Sequence, residues 1–342
     1  MVSGEQTKPK SRMLLLAEVI GAFAALLTVL SVSSSAVLYY AERPSRQRAT
    51  VFGAWAVVSG MEGKRADGAR SVALKQLRDN HESLAGIVLD GSILNDVDLS
   101  DTNLFLASLR NVEFNHCRLA SANLTDANMQ GGHFRDGCDF SFSKFERTDL
   151  RGAVLADSNL FSVRFLGSQG NALTSFNNAK LIHSTVTNGN FNDVVFDNSE
   201  LGETVFVSVG IQRASFLRVK LDHTRFAAVT ATEANFVKAI GDHAQFVWGT
   251  DLDDARFDRA VLTNPVFQDS HLRGTTFFAS QITQGTFKNC DLTNADFTSA
   301  TLTATVFENC IVQGASFTHA KLQEGTSFKN CQGKPVGIDR LP

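Results

Sequence analysis

Three sets of side chains in this 342-residue chain have types and spacings that could do chemistry. Five cysteines stand at Cys117, Cys138, Cys290, Cys310 and Cys331, and neighbours within each group lie 20 or 21 residues apart. Thiols so arranged could form a redox ladder or hold a soft metal. Neither CxxC nor CxxH occurs, however, and those are the spacings that zinc and thiol–disulfide sites use. Cysteine acting as a small hydrophobe is the plainer reading. His183, Glu203, His223 and His243 recur every 20 residues, and imidazole with carboxylate is a donor set for zinc-like ions. No pattern of orienting partners accompanies them, so a solvated column is the competing reading and no metal site is assigned. Asp251, Asp253, Asp254 and Asp258 crowd carboxylates into one short segment, either a carboxylate or contact patch or, more plainly, a solvated loop. The phosphate-cradling patterns GxGxxG and GxxxxGKS are absent, as is the nucleophile elbow GxSxG. No catalytic residue and no cofactor is expected, and the chain reads as non-enzymatic.

An interval of 20 fits neither a helix nor a strand. It is four times a shorter period that organises most of the chain. From Ile87 onward a large apolar residue falls at every fifth position, beginning with Leu89, Leu94, Leu99 and Leu104. Single-residue insertions interrupt this register near Gly137, within 167–172, near Gly249 and just before Phe328. Two residues before each centre the side chain is usually small, as at Ala107, Ala122, Ala234 and Ala295, and all five cysteines occupy this slot. In the C-terminal half the centres alternate between Phe257, Phe267, Phe277, Phe287, Phe297, Phe307 and Phe317 and smaller residues such as Leu262 and Ile282. The 27 phenylalanines, against two tyrosines and two tryptophans, suit a dry interior, since Phe needs no hydrogen-bond partner when buried.

The triplets Ala122-Asn123-Leu124, Ala127-Asn128-Met129, Ala234-Asn235-Phe236 and Ala295-Asp296-Phe297 resemble the pentapeptide-repeat family. The resemblance covers about 87–333. It implies an all-β solenoid, a right-handed quadrilateral β-helix in which each repeat forms one side of a square coil. The central residue and the small one before it would both point inward. Roughly 12 coils at a strand spacing of about 4.8 Å give a rod of about 57 Å. The alternating phenylalanines would then form two stacks on opposite sides. Some soluble members of that family mimic DNA and bind type II topoisomerases, which gives the alternative to a scaffold.

The N-terminal quarter is organised differently. After a polar tail at 1–12, residues 13–40 are apolar apart from Glu18, long enough for a transmembrane helix in contact with membrane lipid. Tyr39 and Tyr40 suit an aromatic belt. Removal as a signal peptide near Ala36 is the alternative, giving a secreted or periplasmic chain. Residues 41–86 read as a helical linker and N-terminal cap. One helix is expected at 45–59, with Val51, Phe52, Trp55 and Val58 on a stripe, and another at 68–79 with Ala73, Leu74 and Leu77 inward. Residues 334–342 form a tail, and the last coil is covered by it or serves as a homodimer contact.

Residues 1–86 carry 11 Lys/Arg against 7 Asp/Glu, and residues 87–342 carry 21 against 28. The first part suits a membrane surface; the acidic remainder argues against direct nucleic-acid binding. The expected protein is a single-pass, bacterial-type membrane scaffold that binds an unknown protein partner. Basic residues flank the span on both sides, leaving orientation open, and the odd number of thiols leans the rod towards the cytoplasm.

Overall fold

The computed structural model describes residues 42–60 and 68–338. These fall into two compact units, Met1–Gly53 and Ala54–Pro342. In the first, residues 42–53 are helical and mostly exposed, with Arg46 ion-paired to Glu42. The expected span at 13–40 lies outside the described residues. Among the described residues no helix is long and apolar enough to cross a membrane.

The second unit opens with helical residues 54–60 and with the helix Gly68–Asp79. The expected stripe on the first helix is partly displaced: Ala54 and Val58 are buried, while Phe52 is 78% exposed. The second helix buries Ala73, Leu74 and Leu77 as the spacing predicts, and also Arg70. Arg70 fastens the cap. Its guanidinium donates to the Val58 carbonyl (3.0 Å), the Val88 carbonyl (3.3 Å) and the Ser92 hydroxyl. A buried cation requires such partners. Here they join both helices to the first coil.

From Val88 to Val336 the chain is a solenoid of parallel strands and bridges, each paired with the residue 20 or 21 further on. Bridges at Val88, Asp98 and Asn103, with the strand Ile93–Asn95, define four sides per turn. A 20-residue coil repeats the five-residue rule four times, so every fifth side chain meets its equivalent in the next coil. The offset changes to 21 where the insertions fall, as for Arg118 with Asp139, Gln169 with Asn190, Thr230 with Asp251 and Val306 with Ser327. Three of these insertions carry a left-handed glycine, at Gly137, Gly249 and Gly325. Glycine has no Cβ to oppose that conformation.

The five-residue period also fixes the corners. Two residues after each centre the backbone turns with positive φ, for example at Asp96, Asp101 and Asn111. Asn, Asp and His tolerate that region best after glycine. Between corners, the centres Leu89, Leu94, Leu99 and Leu104 are fully buried. The Phe stacks are longer than the sequence predicts. One runs unbroken from Phe176 through Phe196, Phe216, Phe236 and on to Phe317, with neighbouring rings 4.7–5.1 Å apart. The other runs from Phe206 to Phe328 at 4.5–4.9 Å. Rings of the two stacks meet edge to face, as Phe246 does with Phe257 at 5.4 Å and 89°. Both the parallel offset and the perpendicular crossing avoid face-on repulsion between the ring quadrupoles.

Candidate functional site

The small inward slot has its own chemistry. At many positions where it holds a hydroxyl, that group donates to a carbonyl of the preceding coil, as do Thr148 to Leu124 (2.9 Å), Ser184 to Leu160 (2.7 Å) and Thr275 to Leu252 (2.8 Å), whereas Thr102 and Ser199 donate to the carbonyl three residues back in their own coil. Cysteine behaves the same way. The thiols of Cys290, Cys310 and Cys331 donate to the carbonyls of Phe267 (3.3 Å), Phe287 (3.3 Å) and Phe307 (3.5 Å). Hydrogen bonding with the Cys290 thiol, joined by burial, pushes the Cys310 thiol up to about 12. The Cys331 thiol is raised too, through Cys310 and burial. Such thiols stay protonated at neutral pH and are poor nucleophiles. These three cysteines occupy the slot that Ser, Thr and Ala fill elsewhere.

Cys117 and Cys138 depart from it. They form a disulfide between successive coils, with Cα atoms 4.6 Å apart. Equivalent slots in stacked coils are held at strand spacing, within the range a disulfide spans. The expectation of five unpaired thiols is corrected: three are free. The lean towards the cytoplasm loses two of its five members.

The acidic segment does not form one site, and it is not a loop. Asp251 bridges Thr230 and His271 within a regular coil. Its carboxylate accepts from the Asp253 amide (3.1 Å), and Asp253 accepts from the Arg273 amide (2.8 Å). Asp258 pairs with Arg256. Burial raises the Asp253 carboxyl somewhat, and Asp251, Asp253 and Asp258 already have local backbone or ionic partners.

His183, Glu203, His223 and His243 do lie along one corner of the solenoid, at φ 60°, 57°, 54° and 55°. The left-handed backbone accounts for the choice of histidine. Six of the chain's eight histidines sit at such positions, at 81, 116, 183, 223, 243 and 319. The column divides into two groups. His183 pairs with Glu203 (3.2 Å) and meets the ring of Phe161 edge-on at 5.3 Å. His223 and His243 stack with centroids 5.0 Å apart and planes within 11°. Asp242 joins the second group: its Oδ1 lies 2.8 Å from His243 Nδ1 and accepts from Asn264 Nδ2 at 3.1 Å. Hydrogen bonds from Asn264, and then from His243, hold its carboxyl below the usual range. Reading single columns misses Asp242. It precedes the corner residue His243, and the preceding column carries Asp222 one coil below it.

The remaining outward side chains include an aromatic strip. Phe142 is 58% exposed and packs edge-on against the half-buried Phe161 at 5.5 Å. Elsewhere successive coils are laced by ion pairs such as Asp126 with Arg147, Asp193 with Arg213 and Glu200 with Lys220.

A filled solenoid of five-residue sides, with small and large residues alternating inward, is the architecture of pentapeptide repeats. Family models described as pentapeptide repeats match residues 102–137, 138–169 and 247–277, and a second model of nine copies matches 287–332. The chain belongs to the pentapeptide-repeat family. Solved structures resemble the chain at low identity and low TM-score. A trypsin-treated form of QnrB1, a plasmid-mediated fluoroquinolone resistance protein, is 16% identical over 56% of this chain and 91% of its own, with a TM-score of 0.32. HetL is a pentapeptide repeat protein involved in heterocyst differentiation regulation in the cyanobacterium Nostoc sp. strain PCC 7120. It is 14% identical over 79% and 98%, with a TM-score of 0.20. The A-module of the Azotobacter vinelandii mannuronan C-5 epimerase AlgE6 is 10% identical over 79% and 87%, with a TM-score of 0.29. No curated protein matches the chain.

Proposed function

We propose that this chain is a non-enzymatic, protein-binding rod tethered to a membrane by residues 13–40. The exposed aromatic strip of Phe142 and Phe161 carries the reading. In this solenoid large apolar side chains belong inside, where stacking removes them from water. Rings at an outward corner gain little from the fold, and exposed aromatic patches mark contact surfaces. The interior supports the same view, because Phe and Leu columns occupy it throughout. A solenoid presents its faces independently of its core, so outward residues can serve a partner without disturbing the stack. The ionic ladders between coils bear on the DNA-mimic alternative: they neutralise carboxylates that such a surface would display. Photo-crosslinking in cells tests the proposal. A photoreactive phenylalanine analogue at Phe142 or Phe161 should give discrete protein adducts, and one at Phe278 should give none. Absence of adducts at both Phe142 and Phe161 overturns it.

A further inference from the structure

We propose that His223, His243 and Asp242 bind a divalent transition-metal ion of the zinc class, with water completing the coordination. One ligand atom from each residue lies within 4.8 Å of the others. A tetrahedral zinc ion with bonds of about 2.0–2.1 Å needs its ligand atoms about 3.4 Å apart. The side chains are open to solvent, at 50% for His243 and 47% for Asp242. Side-chain rotation therefore closes the gap without moving the backbone.

The backbone itself is fixed. The His223 amide donates to the Asp242 carbonyl (2.7 Å) and the His243 amide to the Thr263 carbonyl (2.9 Å). The two corners thus stay one strand spacing apart. Gly241 adds a local reason for close approach. It stands at a centre where Leu221 and Leu262 flank it in the adjacent coils, and a Cβ there would lie 2.8 Å from the Leu221 Cβ. The strand carrying Asp242 thus lies closer to the preceding coil than a larger residue would permit. Asp242 and Asn264 supply what the sequence alone did not show, a carboxylate beside the imidazoles that is itself held by a hydrogen bond from Asn264 Nδ2 (3.1 Å). Outer partners of that kind orient ligating carboxylates. Two imidazoles, one carboxylate and one open position is the donor set of an accessible zinc site.

Calorimetric titration of the full-length, detergent-solubilised protein with zinc chloride tests the site, with cobalt(II) absorption reporting tetrahedral geometry. One equivalent should bind saturably. Asparagine tolerates the left-handed corners, so His223→Asn and His243→Asn should leave the fold intact, as circular dichroism would verify. Each should abolish or greatly weaken binding, as should Asp242→Asn, which removes the charged ligand. His183→Asn should leave affinity unchanged. Failure to bind one equivalent overturns the proposal, as does binding that survives in the His223→Asn/His243→Asn double variant.

Discussion

The coils between Val88 and Phe165 and those between Phe176 and Phe328 obey one backbone rule and fill it differently. In the first region the centres are mainly leucine. Aromatic contacts there are local and irregular, as for Phe134 with Phe140 at 71° and Phe140 with Phe145 at 54°. In the second, two phenylalanine stacks run unbroken for seven rings or more. The disulfide lies in the first region and the free thiols in the second. A leucine column derives its stability from buried area alone, whereas a ring column adds oriented contacts that propagate from coil to coil. The disulfide therefore reinforces the region with the weaker coupling between neighbours, and it does so beside the first insertion.

Replacing one ring inside the stacks is the strongest way to break this contrast. Phe246 touches four others: Phe226 and Phe267 at 4.9 Å, Phe236 at 5.6 Å and Phe257 at 5.4 Å. Phe246→Ala is expected to cost about 4–5 kcal/mol, and Leu104→Ala about 2–3 kcal/mol. The excess reflects pairwise ring terms of about 0.5–1.5 kcal/mol. Hydrogen exchange read coil by coil measures both. Loss of protection should spread over several coils around Phe246 and stay local around Leu104. Equal, local losses would remove the contrast.

The next effect belongs to the disulfide. Closing a 21-residue separation restricts the unfolded chain by about 3 kcal/mol in the loop-entropy picture. Reduction, or Cys117→Ser with Cys138→Ser, should lower the unfolding temperature of the leucine-rich coils first. Reduction should leave the Cys290, Cys310 and Cys331 region unchanged. The same bond bears on sidedness. Structural disulfides persist in oxidising compartments, so the redox state of this pair in cells reports which kind of compartment the rod occupies. Differential alkylation of protein taken directly from cells should find Cys117 and Cys138 blocked. Both thiols free, with a reporter after Pro342 active in the cytoplasm, would mean that the bond does not form in cells.

The period of five made the coil, its four insertions and the inward slots legible, because a rule repeated dozens of times averages out local ambiguity. The Phe alternation likewise gave the stacks from Leu252 onward. What the period could not show is what happens within a shared slot. Cys117 and Cys138 pair whereas Cys290 and Cys310 donate to carbonyls, although all four occupy the same repeat position. Arg70 was hidden for another reason. A cation on a helix reads as solvated until the coil that buries it is in place. Asp242 was missed because chemistry across coils draws on two adjacent columns, and a search by period follows one at a time.

The smallest expected effect lies on the outer surface, where the two regions should look alike. Lys220 Nζ donates to Glu200 Oε1 at 2.8 Å, and this hydrogen bond lowers the Glu200 carboxyl. A depressed folded-state carboxyl contributes stability above the unfolded carboxylate range and loses it as pH falls through the lowered folded value. The pair is largely solvent-screened, so Lys220→Met should cost about 0.2–0.5 kcal/mol near neutral pH. The variant and the parent should converge in acid, once Glu200 is protonated in both. Unfolding followed at neutral pH and again below the ordinary carboxylate range measures the convergence. A difference that persists in acid would mean that the lysine stem acts by packing on the coil rather than by charge.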